Sequence, residues 1–174
     1  MTAGVTVAAF RAVLGRFASG LVVVTATGAA GPVGMTVQAL MSLSLDPPLV
    51  ALGVDRRSGS WAQVRPGDAL RLNLLREDQA GLARAFGRPG PRTFDPLAWQ
   101  LDAGPPRLRA AHAWVDARLE RQHDGGDHHL AVAAVEGLEA GTGEPLLFHR
   151  GRTGGFAPDV VIPLPAQPEE VVVR

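Results

Sequence analysis

Three short runs rich in Val, Thr and Leu lie between residues 21 and 54, parted only by Gly and Pro clusters. Residues 21–27 and 33–40 flank the turn cluster 28–32 and read as a hairpin; residues 49–54 follow the Pro47-Pro48 step as a third strand. Thr36, Gln38, Ser42 and Ser44 all fall at even positions, and residues two apart on an extended chain share a face. The spacing predicts a polar lining on an apolar strand pair. Such a lining suits a large flat ligand with hydrogen-bonding edges and a phosphate tail. The simpler account, hydroxyls bonded to neighbouring backbone, is equally open from the residues alone.

The rest of the chain continues the pattern. Phe10, Val13, Leu14 and Phe17 recur at helical spacing, predicting a helix over 6–19 that Gly20 ends. Residues 61–64 predict a short helix closed by Pro66-Gly67, 69–75 a strand, and 77–86 a helix with acidic residues first and Arg84 last. Residues 87–106 are irregular and rich in Pro and Gly. Residues 112–122 alternate, with Ala113, Val115, Ala117 and Leu119 facing one way and Trp114, Asp116, Arg118 and Glu120 the other. A turn over 123–127, a strand over 128–138 and a last strand over 145–149 follow. No regular β-α alternation appears, and no Gly-x-Gly-x-x-Gly follows a strand, which disfavours a Rossmann domain. The expected class is mainly β, an antiparallel barrel with a few flanking helices. The expected organisation is one domain over 1–156 and a Pro-rich tail over 157–174.

Composition narrows the chemistry. All 17 basic residues are arginine, offset by 17 acidic ones, so no basic footprint for nucleic acid exists. The absence of lysine removes Schiff-base chemistry and the P-loop lysine. The absence of cysteine removes disulfides, thiolate ligands and thiol nucleophiles. No segment is apolar enough for a membrane span, and the N-terminus lacks a signal-peptide pattern, so a cytoplasmic protein is expected. No Gly-x-Ser-x-Gly elbow supports a serine hydrolase. Chemistry falls to His, Ser/Thr, Asp/Glu, Arg or a bound cofactor.

Three further clusters could carry it. Asp55, Arg56, Arg57, Ser58, Gly59 and Ser60 stand between a strand and a short helix, where amide N–H groups, hydroxyls and guanidinium forks make a phosphate cradle; a solvated turn is the alternative. His123, Asp124, Asp127, His128 and His129 invite a metal reading. On one strand, however, His128 and His129 point to opposite faces, and no metal is expected. His149, Arg150, Arg152 and Phe156, among glycines, could meet an anionic ligand or form an exposed basic loop.

Together these features resemble the flavin reductase family of the flavin-binding split barrel. The markers run in order: Phe10-Arg11, Gly15-Arg16-Phe17-Ala18-Ser19-Gly20, Val22-Val23-Val24-Thr25, Gly34-Met35-Thr36, Ser42-Leu43-Ser44-Leu45-Asp46-Pro47-Pro48-Leu49-Val50, Asn73-Leu74-Leu75, Gly126-Asp127-His128 and Pro145-Leu146-Leu147. The resemblance implies a homodimeric Greek-key split barrel that binds FMN or FAD and passes hydride to it from NADH or NADPH. It implies diffusive supply of reduced flavin to a partner monooxygenase, with a non-catalytic flavin carrier or sensor as the alternative. Carried over by position, Thr36, Val37, Gln38, Ser42, Leu43 and Ser44 would line the flavin ring and ribityl chain. Asp55, Arg56, Arg57, Ser58 and Ser60 would hold the phosphate. Asn73 and Leu74 would sit beside the flavin. His128 would act at the nicotinamide, with Arg152 and Phe156 near it. The chain departs from the family pattern at Gln38-Ala39-Leu40 and at Thr153.

Overall fold

The computed structural model describes residues 4–88, 90, 93–101 and 104–157. Helix α1 spans Val7–Leu14, with Thr6 capping it by accepting the Ala9 N–H at 3.1 Å. It stops at Gly15, earlier than the expected Gly20. The Arg16 and Phe17 amides tighten onto Val13 and Leu14 carbonyls, and Ser19–Gly20 is already the short strand β1. The predicted apolar stripe exists, yet it faces outward: Phe10 is 57% exposed, Leu14 53% and Phe17 76%.

The centre of the molecule is one antiparallel sheet of seven strands. These are β2 (Val22–Gly28), β3 (Gly31–Val37), β4 (Ala39–Leu45), β5 (Pro48–Asp55), β6 (Ala69–Leu74), β9 (Ala113–Gly125) and β10 (His128–Ala140), in spatial order β3-β2-β6-β9-β10-β5-β4. The two edge strands, β3 and β4, are consecutive in the chain and separated only by Gln38. The sheet must therefore curl until its edges converge at that residue. All seven strands feed one core, including Val24, Met35, Leu40, Leu52, Leu72, Leu119 and Ala133, as a barrel requires. Away from Gln38 the edges part, leaving a split between β3 and the β4–β5 pair.

A second core lies outside the sheet. Leu21, Val23, Leu75, Trp114 and Leu146 pack there under α2 (Ala80–Gly87) and the segment carrying β7 (Trp99–Gln100) and β8 (Arg107–Leu108). β2 is thus buried on both faces, which accounts for its near-continuous apolar run. β9 shows the predicted alternation, sending Val115, Ala117 and Leu119 into the barrel and Trp114 into the outer core. Each such fully buried Val or Leu contributes roughly 1.5–3 kcal/mol. β1 pairs with β11 (Leu147–His149), which pairs with β12 (Arg152–Gly154).

Several expectations shift at their edges. The strand expected over 33–40 breaks at Gln38, and the helix expected over 77–86 starts as a 3-10 turn, Glu77–Gln79. The turn expected over 123–127 shrinks to Gly126 and Asp127, because β9 runs on to Gly125. Gly126 takes φ of +74°, a left-handed value that favours glycine. The tail expected over 157–174 lies, past Ala157, outside the described residues.

Candidate active site

The split holds a cavity of about 1620 Å³. Its walls come from β3, from the start of β4, from Ala51, Gly53, Val54 and Asp55 of β5, and from the loop carrying Arg57, Ser58, Gly59 and Ser60. The C-terminal end of α2 (Phe86, Gly87, Arg88), the apolar face of α1 (Phe10, Leu14) with Phe17, and His128 and Leu130 of β10 complete it. Single-ligand pockets run to about 1,000 Å³, so this one is large enough for two.

β3 presents its outer edge to the cavity. The Gly34 carbonyl accepts the Ser60 hydroxyl at 2.9 Å. Residues of one parity on an antiparallel strand point their N–H and C=O the same way, so Thr36 shares that direction. The Thr36 hydroxyl, by contrast, turns to α2 and donates to the Ala83 carbonyl at 2.8 Å. Val37, Ala39, Leu40, Met41 and Ala51 supply an apolar surface, with the exposed Gln38 at its rim.

The loop after β5 is shaped by its own polar groups. Asp55 accepts the Arg57 amide at 2.8 Å and the Arg57 guanidinium at 3.1 and 2.8 Å. Hydrogen bonds from that side chain, then from the amide, hold the Asp55 carboxyl well below its ordinary 3.8. The Ser58 hydroxyl receives the Trp61 amide at 3.2 Å and starts the 3-10 turn Trp61–Gln63. Among the described residues no protein acceptor meets the N–H of Gly59 or Ser60. The loop therefore offers two amide donors and the exposed Arg57 to an anion. Arg56 turns away, pairing with Asp124 at 2.5 Å.

His128 stands half-exposed at the cavity wall, its Nδ1 2.7 Å from Asp127 Oδ1. The His128 hydrogen bond lowers the Asp127 carboxyl, which stays ionised and accepts only. Nδ1 accordingly carries the proton, and Nε2 takes no part in this contact. His129 points the other way, 3.9 Å from Asp124. Among the described residues no three His, Asp or Glu side chains gather as metal ligands.

The remaining expected residues lie elsewhere. Ser42, Leu43 and Ser44 sit on β4 beyond the cavity walls, because Gln38 interrupts the strand and a bulge between Ser42 and Ser44 shifts the register. Even numbering thus fails as a guide to one face. Asn73 is fully buried: its amide donates to the Val23 carbonyl at 3.0 Å and to Thr25 Oγ1 at 3.3 Å, and Oδ1 accepts the Leu108 amide at 2.9 Å. Leu74 faces a separate hollow of about 200 Å³ shared with Gln38, Leu40 and His112. Arg152 and Phe156 are exposed and line neither space. Sequence reasoning missed Phe10, Leu14, Phe17, Phe86 and Arg88 as wall residues. The available signal was Gly34, since a glycine inside a strand marks a close approach.

Residues 14–157 match the family model described as flavin reductase like domain. The chain belongs to that family. Over 151 residues it is 40% identical to the reductase component of 4-nitrophenol 4-monooxygenase/4-nitrocatechol 2-monooxygenase from Rhodococcus opacus, covering 87% of this chain and 82% of that protein. Over 149 residues it is 38% identical to the FMN reductase (NADH) SmoA of Agrobacterium fabrum, covering 85% of each. Among solved structures, NADH:FAD oxidoreductase SgcE6 of Streptomyces globisporus C-1027, in complex with NAD and FAD fragments, superposes with a TM-score of 0.81 at 31% identity, covering 88% of this chain and 94% of that one. The flavin reductase-like fold is therefore a split barrel here too, and the cavity occupies its split.

Proposed function

We propose that this chain is an NAD(P)H:flavin oxidoreductase that reduces FMN or FAD and supplies the reduced flavin to a partner monooxygenase. The observation that carries this reading is the single cavity joining three surfaces a flavin needs. The apolar wall from Val37 to Met41 suits a flat tricyclic ring. The outer edge of β3 and Gln38 suit the donors and acceptors of its pyrimidine rim. The Gly59 and Ser60 amides with Arg57 suit its phosphate. Gly34, whose carbonyl takes the Ser60 hydroxyl, and Gln38 are four residues apart, about 13 Å along a strand. That separation matches a ring placed at one end and a ribityl phosphate at the other.

A bound flavin would supply the redox chemistry, as acceptor of hydride from a reduced nicotinamide. The protein's own contribution is placement. The apolar wall from Val37 to Met41 would give the ring a dry face, and the outer edge of β3 with Gln38 would meet the rim where negative charge grows. His128 presents Nε2 to the nicotinamide, orienting its carboxamide or holding a proton there.

The relatives' names, reductase components of monooxygenases, support the oxygenase partner. The exposed apolar face of α1 supports a homodimer. A cytoplasmic site of action accords with the nicotinamide donor; no helix among the described residues is long and apolar enough to cross a membrane. We take residues 1–156 as the catalytic domain, a reading that the family match over residues 14–157 supports. The test is anaerobic: NADH added to the chain with one equivalent of FMN or FAD should bleach the flavin's visible bands. Bands that persist with both flavins and both nicotinamides would refute the activity.

A further inference from the structure

Gly34 and Thr36 meet the C-terminal end of α2, and this contact sets how far that helix stands from the phosphate loop. A Cβ built on Gly34 would lie 2.8 and 3.0 Å from ring carbons of Phe86 and 3.2 Å from the tip of Phe94. Such distances force a neighbour to move. The Phe86 ring is already packed against Phe94 and Trp99, with centroids 5.3 Å away in both cases, and those two rings pack on each other at 5.1 Å. The helix backbone cannot retreat freely, because the Thr36 hydroxyl holds the Ala83 carbonyl at 2.8 Å. Phe86 also lines the cavity, so a ring displaced from Gly34 encroaches on it.

The same residue of β3 touches the opposite wall. The Gly34 carbonyl accepts the Ser60 hydroxyl, so Gly34 spaces the phosphate loop from Phe86, Gly87 and Arg88. The cavity wall also includes Arg88 and Gly90 after α2, Ala30 and Gly31 at the β2–β3 turn, and Gln63, which approaches Gly28. A flavin with its phosphate at the Gly59 and Ser60 amides leaves these residues to meet whatever it carries past that phosphate. A mononucleotide carries nothing further; a dinucleotide carries an adenylate.

We infer that Gly34 and Thr36 are positioning residues that seat α2 and thereby decide whether the site takes a dinucleotide flavin as well as a mononucleotide. The inference rests on the flavin reductase reading. Dissociation constants for FMN and for FAD are measured by quenching of flavin fluorescence on the full chain. The unmodified chain is measured first; if it binds neither flavin, the reductase reading falls and this one with it. Gly34→Ala should weaken FAD at least tenfold and FMN at most threefold. Gly34→Ala combined with Phe86→Leu, which removes the displaced ring, should restore the FAD to FMN ratio to within twofold of the unmodified chain. Equal weakening of both flavins, or a double variant that keeps the shifted ratio, overturns the inference. Should Gly34→Ala fail to fold, the second arm decides. Thr36→Val should shift the ratio in the same direction and Thr36→Ser should not. Identical ratios in those two variants overturn the inference as well.

Discussion

Asp127 holds Nδ1 of His128, and the two residues act as one unit although only His128 lines the wall. Replacing His128 by Ala should slow anaerobic flavin reduction roughly tenfold to a hundredfold, the cost of misplacing a reactant. Oxidised flavin should still bind, since the apolar wall and phosphate loop are untouched. Stopped-flow absorbance checks this, and an unchanged reduction rate would remove His128 from the mechanism. Asp55 gives a prediction about pH. The Arg57 hydrogen bonds depress its folded pKa below the ordinary 3.8, so the carboxylate form is the one the fold favours. Its contribution is complete above that value and is lost as pH falls below it. Thermal midpoints taken between about pH 6 and pH 3 should decline less steeply in Asp55→Asn than in the parent chain. Equal slopes would mean that the loop does not depend on this carboxylate.

Asn73 belongs to the scale of elements, because its side chain stitches β2, β6 and β8 rather than meeting a ligand. It satisfies the Val23 carbonyl on one strand and the Leu108 amide on another from a fully buried position. Asn73→Ala would strand those groups away from water, at a cost of about 2–3 kcal/mol. A lower urea midpoint with an unchanged slope is the expected result, and a midpoint within error of the parent would refute the stitching role. β4 shows the opposite case, an element legible in kind and misread in detail. Its hydroxyls and leucines announced a strand, but the Gln38 break and the bulge before Ser44 are made by pairing with β5. Register depends on the partner strand, and a one-residue slip exchanges the faces. No pattern within 36–44 carries that information.

At the scale of the whole molecule, α1 is the element whose apolar face lies exposed. Eight residues make a marginal helix in water, and none of its side chains is buried. Its apolar face supports the proposed dimer. Leu14→Glu with Phe17→Glu should convert a dimer into a monomer in sedimentation velocity, and a dimer that survives both charges would place the interface elsewhere. The sequence determined the strands, their hairpins, the alternation of β9 and the mainly β class, because side-chain period and turn chemistry are local properties. It also singled out the loop after β5 and His128, which the structure brings to the cavity wall. Only the tertiary structure decided that β3 and β4 are the two edges of one curled sheet, and so that a cavity opens between them. It alone turned the Thr36 hydroxyl toward α2, buried Asn73 and brought Phe86 against Gly34. Those outcomes depend on contacts between residues tens of positions apart, which periodicity along the chain cannot encode.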